Sequence, residues 1–587
     1  MDIEFAPPKE KLKLTAYIFK YPMHFWLQAL GGVVYNIIII FGAIFLGKTI
    51  DAAALVHSGE ASLSLFYVNL FSFLGFTIVF QLSRYLKRYH MRTLTNLVNC
   101  DLRAGLLASL FEMPINDLSH EKVGDMMSRM IGDVEQVTAS VQITITELWD
   151  TIILMIAHFV ACMVYSPKIT LLASIPIPIV ILLAQVIRTP LYSLSQKARK
   201  AASNINVHLQ HNVSGVSLLR LFGLETADRL KFSKLLDEQL KWNISYSALQ
   251  GSVTPLYILL ATSGIILVVG LGGEYVINGI WTIGMFTGYL SLFSAMTVRT
   301  NMAGKVMNTW HGAKASWDRI CEKLETPEKG EGHSNVSPTY VDSLPSLEVN
   351  SLSFRYPYTD ENQISDISFT ANKGEIIGVT GPVGSGKSAL AAALSGLYPY
   401  EGEVFTGGVS LRELYDSRSS RIAYMDAEQF VFSDDVIFNV TLDRKDGDIL
   451  DAITLASMNE DIETFENGLN TRLMERGVRI SGGQRQRISL ARAWYSDSNI
   501  LLLDDPFSAI DVTMEQRIMK SIKEGIGSRT VVLFSHRLST FDMTDKVLVI
   551  EKGSISQIGT HEELVSEDGL YKEIWQAQKF MEQGVAL

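Results

Sequence analysis

The stretch Gly381-Pro382-Val383-Gly384-Ser385-Gly386-Lys387-Ser388 decides how the second half of this chain folds. It follows the apolar run Ile376–Thr380 and precedes Ala389-Leu390-Ala391-Ala392, residues that favour a helix. Strand, glycine-rich turn and helix together form the context in which this pattern binds phosphate. Bare backbone N–H groups in the turn and at the helix start point at an anion. In this reading Gly381, Gly384, Ser385 and Gly386 cradle the phosphates of a nucleotide, Lys387 reaches the β- and γ-phosphates, and Ser388 ligates Mg²⁺.

Further along, Asn499-Ile500-Leu501-Leu502-Leu503-Asp504 reads as a buried parallel strand ending in an acid. Asp504 is expected to hold Mg²⁺ through water. The next position, expected to carry the general base that polarises the attacking water, is Asp505. Aspartate is one methylene shorter than glutamate, about 1.5 Å of reach, and a misplacement of that order costs about a hundredfold in rate. Ser481-Gly482-Gly483-Gln484 opens a helix over Arg485–Trp494. Glycine amides and a hydroxyl at a helix start form a second anion site, aimed at a γ-phosphate held by another copy of such a domain.

At 587 residues the chain is too long for one domain. Residues 1–305 carry long apolar runs, 306–346 form a linker whose Pro327–Ser346 portion is rich in Gly, Ser and Pro, and 347–587 read as an α/β domain. The net charge of −11 says little about nucleic acid, since no basic block stands out; the apolar spans set out below are what argue against a nucleic-acid partner. Cys100, Cys162 and Cys321 are scattered and make neither a metal nor a disulfide pattern. The first twenty residues are polar, so no cleavable signal peptide is expected and the first apolar run acts as its own anchor.

A helix needs about 20 apolar residues to cross a bilayer. Six segments qualify: 22–46, 63–86, 137–165, 168–188, 248–272 and 277–303. The short loops 47–62, 166–167 and 273–276 hold one Lys or Arg between them, Lys48, whereas the long loops carry seven from Arg84 to Arg129 and eight from Lys197 to Lys241. Positive charge stays inside, so a multi-pass protein of the plasma membrane with both termini and the α/β domain in the cytoplasm is expected. Both long loops have helical periodicity, and hairpins of two 25-residue helices would reach roughly 35 Å beyond the membrane. Their tips are expected at Met113–Asp117 and Leu221–Glu225, placed to dock on a soluble domain.

Glu147, Thr151, Met155 and His158 fall near one face of the third span, where they line a substrate cavity, bind a proton, or bond helix to helix. Ser291, Ser294 and Asn301 share a stripe on the last span that fits small-residue packing or a pocket. Arg299 sits where snorkelling is the default. Pro176 and Pro178 should bend the fourth span.

These elements, in this order and over about residues 20 to 585, resemble the ATP-binding-cassette transporters of the exporter fold. The resemblance implies a membrane α-helical domain with long cytoplasmic extensions joined to a C-terminal α/β P-loop NTPase domain of the ABC type, working as a dimer with two ATPs sandwiched between the phosphate loop of one half and the signature of the other. It further implies that Tyr356 stacks on adenine, that Ser508-Ala509-Ile510-Asp511 is the loop after the acidic strand, with Asp511 at the nucleotide, and that His536 contacts the γ-phosphate. Three departures stand out. Asp505 replaces the family's Glu, Ala427 stands where a Mg²⁺-binding Gln belongs with Gln429 two positions on, and Arg472 replaces a Glu ahead of Met474-Glu475-Arg476-Gly477. Apart from Ile480 for Leu, the signature is intact.

The pattern resembles the degenerate-site subunit of heterodimeric bacterial multidrug exporters. That implies a different half-transporter as partner, a competent site built from the partner's phosphate loop and this chain's Ser481–Gln484, and export of amphipathic drugs, lipids or peptides. Two other readings stand beside it: an importer of metal–siderophore complexes on the same fold, and a regulatory subunit that only binds ATP.

Overall fold

Among the described residues of the computed structural model, five helical segments are long and apolar enough to cross a membrane: Pro22–His57, Leu63–Glu112, Val123–Tyr165, Pro167–Leu221 and Glu225–Ile277. The structure describes residues 5–121, 123–299, 303–325, 344–357, 359, 361–416, 422–445, 447–473 and 480–582. The sixth expected span is the helix Ile283–Arg299 of 17 residues. At 1.5 Å per residue this described part covers about 26 Å, and residues 300–302 lie outside the described residues. Asn301 lies outside the described residues.

The expected hairpin tips are where the helices break. The second long helix ends at Glu112, and a short helix, Ile115–His120, comes after Met113-Pro114. The fourth ends at Leu221 and the fifth begins at Glu225. The fourth segment is interrupted at Ile175, immediately before Pro176, as loss of a backbone donor requires.

The third segment departs from simple helical periodicity. It contains two π-helical turns, Ser128–Asp133 and Leu148–Ile153. A π turn inserts a residue into the ladder and rotates the rest of the helix about its axis, so the face expected to run from Glu147 to His158 is broken in its middle. The helix Ala303–Leu324 closes this half.

By its contacts the chain divides into two units, Met1–Met113 with Glu121–Pro327, and Pro114–His120 with Glu328–Leu587. The second unit holds two sheets. β1 (Leu347–Phe354), β2 (Ile364–Ala371), β4 (Glu401–Thr406) and β5 (Val409–Ser410) form an antiparallel sheet in the order β2-β1-β4-β5. β3 (Ile376–Thr380), β6 (Ile422–Met425), β7 (Ile500–Asp504), β8 (Thr530–Phe534), β9 (Lys546–Glu551) and β10 (Ser554–Gly559) form the other, in the order β10-β9-β3-β8-β7-β6. It is parallel except for β10, which pairs antiparallel to β9.

Every residue of β3, β7 and β8 is buried, which is why these strands read as unbroken apolar runs rather than alternating ones. Alternation instead sorts them between two cores. Leu502 and Ile500 pack with the helix Lys387–Leu394 and the antiparallel sheet, whereas Leu501 and Leu503 pack with the helix Gly482–Tyr495.

Candidate functional site

Parallel sheets gather their functional loops at the carboxyl ends of the strands. Here the ends of β3, β6, β7 and β8 bring together Gly381–Ser388, Asp426, Asp504-Asp505 and His536.

The loop after β3 takes a shape that its glycines allow. Gly381 and Gly386 have φ of 150° and 108°, and a methyl group at Gly381 would lie 2.1 Å from the Ile550 carbonyl oxygen. Gly386 caps the helix that starts at Lys387. The Lys387 ammonium donates to the carbonyls of Gly381 and Pro382, both at 2.9 Å, and lies across the loop. Burial lowers its pKa, against the pull of Asp504 and Asp505.

Asp504 is 3 % exposed. Burial pushes its carboxyl up to about 6; a hydrogen bond from Ser388 and the charge of Lys387 oppose this, while Asp426 and Asp505 add to it. Its Oδ2 is buried with no hydrogen-bond partner among the described residues, and so are Thr380 Oγ1 and Ser385 Oγ. Unpaired buried oxygens are costly. An oxygen-seeking divalent cation fits Asp504 Oδ2 and the Ser388 hydroxyl, and a bound cation would neutralise phosphate charge there.

Asp505 has φ of 48°, a left-handed conformation, and its N–H donates to the Phe534 carbonyl at 2.9 Å. His536 lies just beyond β8 and is exposed. Tyr356, half-buried after β1, packs edge-on against Phe354 and Tyr398 and borders a cavity of about 350 Å³ with Asn362 and Tyr400. Burial raises its phenol pKa, helped by Tyr398 and Asp504.

Ser481 caps the helix Gly482–Tyr495 in a reciprocal box: its hydroxyl accepts from Gln484 N at 3.1 Å, and Gln484 Oε1 accepts from Ser481 N at 2.9 Å. Gln484 also donates to Asp461 at 2.9 Å. Asp511 caps the next helix, Val512–Gly525, through Met514 N. The segment Met474–Gly477 lies outside the described residues, while Arg472 bridges backbone-to-backbone with Asp435.

Gln429 does not stand in for the missing glutamine by reaching into the site. Its amide donates to the Ala427 carbonyl at 2.8 Å.

Two residues that lie outside the sequence motifs tie these loops together. Gln486 is 1 % exposed, donates to Ser508 Oγ at 2.6 Å and to the Asp505 carbonyl at 3.3 Å, and accepts from Ala509 N at 2.9 Å. Arg537 donates to the carbonyls of Phe507, Ser508 and Ile510. In the sequence, Gln486 stands two residues behind Gln484 and Arg537 directly follows His536, the one hint that either offers.

In the membrane half, Glu147 accepts a 2.6 Å hydrogen bond from Thr151. His158 is buried and its Nδ1 meets the Leu154 carbonyl at 2.9 Å, an intrahelical role. Met155, Ser291 and Ser294 are half-buried. A buried ion pair joins Lys87 to Asp150 inside the second π turn, with the ammonium 4.3 Å from the Tyr35 ring.

Residues 25–300 match the ABC transporter transmembrane region and residues 364–508 match the ABC transporter family. The probable multidrug resistance ABC transporter ATP-binding/permease protein YheI of Bacillus subtilis is 28 % identical over 581 residues, 97 % of each chain. The multidrug resistance-like ATP-binding protein MdlA of Escherichia coli is 27 % identical over 97 % of each. The ATP-dependent lipid A-core flippase of Dechloromonas aromatica is 26 % identical over 87 % of this chain and 88 % of its own. Among solved structures, a bacterial Atm1-family ABC exporter with ATP bound superposes with a TM-score of 0.72 at 19 % identity, covering 94 % of this chain and 98 % of that one.

Proposed function

This chain is an ABC transporter of the exporter fold, and we propose that it works as one half of an asymmetric, heterodimeric exporter. In this reading its own ATP site holds nucleotide and turns over slowly, and its signature helix completes the partner's hydrolytic site. The observation that carries the proposal is the contrast within one domain. Asp505 is short and in a left-handed conformation, and Gln429 is folded onto Ala427 O. The helix start at Ser481–Gln484 is fully capped and matches a working signature.

The same proposal assigns the roles. Gly381–Gly386 and Lys387 bind the phosphates, Ser388 and Asp504 hold the cation, Tyr356 faces the adenine, and Asp505 with His536 borders the γ-phosphate. Ser481, Gly482, Gly483, Gln484 and Asp511 face the partner's nucleotide. ATP binding draws the two ATPase domains together, six spans switch from inward- to outward-facing, and hydrolysis at the competent site resets them. The basic long loops support a cytoplasmic ATPase domain. The cargo class is amphipathic drugs, lipids or peptides, a choice supported by what the multidrug and flippase relatives are called.

The test is to purify the tagged chain from its native membrane and identify what accompanies it. The expected companion is a second half-transporter with Glu after its acidic-strand Asp, a Gln in the earlier loop and an altered signature. Recovery of this chain alone, with robust ATP turnover, would overturn the proposal.

A further inference from the structure

Strand register places a second carboxylate beside the one that ends β7. Met425 pairs with Leu503 in the parallel β6–β7 ladder, so Asp426 is the next position, alongside Asp504. Side chains alternate between the two faces of a sheet. Tyr424 and Leu502 belong to the core that holds the helix Lys387–Leu394, and Met425 and Leu503 belong to the other. By the same period Asp426 shares the face of Asp504, the face that also carries Lys387 and Ser388.

The electrostatics agree with this placement. Asp426 is felt by Asp504, Tyr356 and Tyr424, groups that surround the nucleotide site. Its carboxylate faces solvent, and its hydrogen bond among the described residues is a 3.5 Å contact from Glu428 N. Asp504 next to it is 3 % exposed and keeps Oδ2 unpaired. Gln429, the other candidate, spends its amide on its own loop.

We propose that Asp426 is a second protein carboxylate for the divalent cation of this chain's ATP site, filling the role left open by Ala427. The inference rests on the ATP site described under the proposed function, and it changes that site's character. Mg²⁺ in nucleotide sites is commonly held by one or two carboxylates plus the phosphates. Replacing a neutral amide with a carboxylate adds a full negative charge. With the cation bound, that charge tightens the complex; without it, the charge repels the phosphates. ATP retention at this site therefore depends on the cation more steeply than at a site built with glutamine.

The experiment uses the full-length complex with its native partner and Mn²⁺ as a paramagnetic cation. Free Mn²⁺ is tracked by electron paramagnetic resonance under a saturating non-hydrolysable ATP analogue, and analogue binding is measured separately in EDTA. Asp426→Asn is expected to weaken Mn²⁺ at one of the two sites about tenfold or more, in the range that lost metal contacts cost. In EDTA the same variant should bind the analogue as well as the parent or better. Gln429→Ala should change neither. Unchanged Mn²⁺ affinity in Asp426→Asn would overturn the assignment, as would the loss appearing in Gln429→Ala instead. A variant that binds less analogue in EDTA would also overturn it, because the charge would then be supporting the nucleotide directly. An unmodified chain that takes up no analogue at its own site would bring down the ATP-site reading itself, and this inference with it.

Discussion

His536 places Nδ1 3.2 Å from Oδ1 of Asp505. The approach is within ion-pair reach but off hydrogen-bond alignment, and Oδ1 has no hydrogen-bond partner among the described residues. The short carboxylate thus lies beside the end of β8. Its left-handed backbone matters too, because that conformation suits Asp far better than most residues.

From this pairing, Asp505→Glu is expected to raise ATP hydrolysis at this site by only a few fold. The longer side chain regains reach, yet it is less at ease in the left-handed conformation, and Ala427 is unchanged. The measurement is ATPase activity of the complex with the partner's catalytic base removed. Activation of about a hundredfold, the full cost of a misplaced group, would show that reach alone limits the site.

Cation binding should be proton-linked through Asp504. Its carboxyl is held up to about 6, chiefly by burial. Below that pH the proton must leave before the cation binds, so affinity should fall by about tenfold per pH unit as pH drops below about 6, and flatten above it. Calorimetry in buffers of different ionisation enthalpy should detect proton release on cation binding near pH 5.5 and little at pH 8. The sign for stability is opposite. A raised carboxyl pKa favours the fold while protonated, and that contribution disappears as pH rises through about 6.

Gln486→Leu should damage both stability and turnover. It strips partners from the Ser508 hydroxyl, the Ala509 N–H and the Asp505 carbonyl. Ser508 and Ala509 are exposed and Asp505 is half-buried, so water replaces part of what is lost; at about 1 kcal/mol in all, the domain's melting temperature should drop by about 2–4 °C. ATP affinity should change little while kcat falls, because Gln486 positions loops and does not touch phosphate. A proportional loss of ATP binding would contradict that split.

Lys87→Met should be far worse than the double change Lys87→Met with Asp150→Leu. Breaking a buried ion pair strands a charge at about 3–5 kcal/mol, whereas removing both members is often nearly neutral. The yield and thermal stability of the complex in detergent measure this directly. Equal losses in the single and double variants would show that the Tyr35 ring or the π turn, rather than the charge pair, carries the effect.

What the sequence made legible was whatever repeats locally. The phosphate loop, the acidic strand and the helix start at Ser481 each lie within a few consecutive residues, and their geometry is decided by neighbours in the chain. The hairpin tips at Met113 and Leu221 were readable from Pro, Gly and charge for the same reason. Asp426 and Gln486 were not, because their partners are set by strand pairing and by a helix crossing over a loop. The Lys87–Asp150 pair spans 63 positions. The π turns have no local composition cue, so the polar face drawn from Glu147 to His158 assumed a regular helix.

The helix Ala303–Leu324, through which the chain leaves its membrane half, is fastened sideways. Asp133, in the first π turn, takes Arg319 Nε at 2.8 Å and Ser316 Oγ at 2.9 Å. Arg129 meets Glu322 at 3.0 Å, and Lys323 pairs with Glu121. Three rivets along one rod make it a poor hinge and a good lever. All three fasten it to the third membrane segment or to Glu121 just ahead of it, two of them at the turn where that segment's winding is loosest.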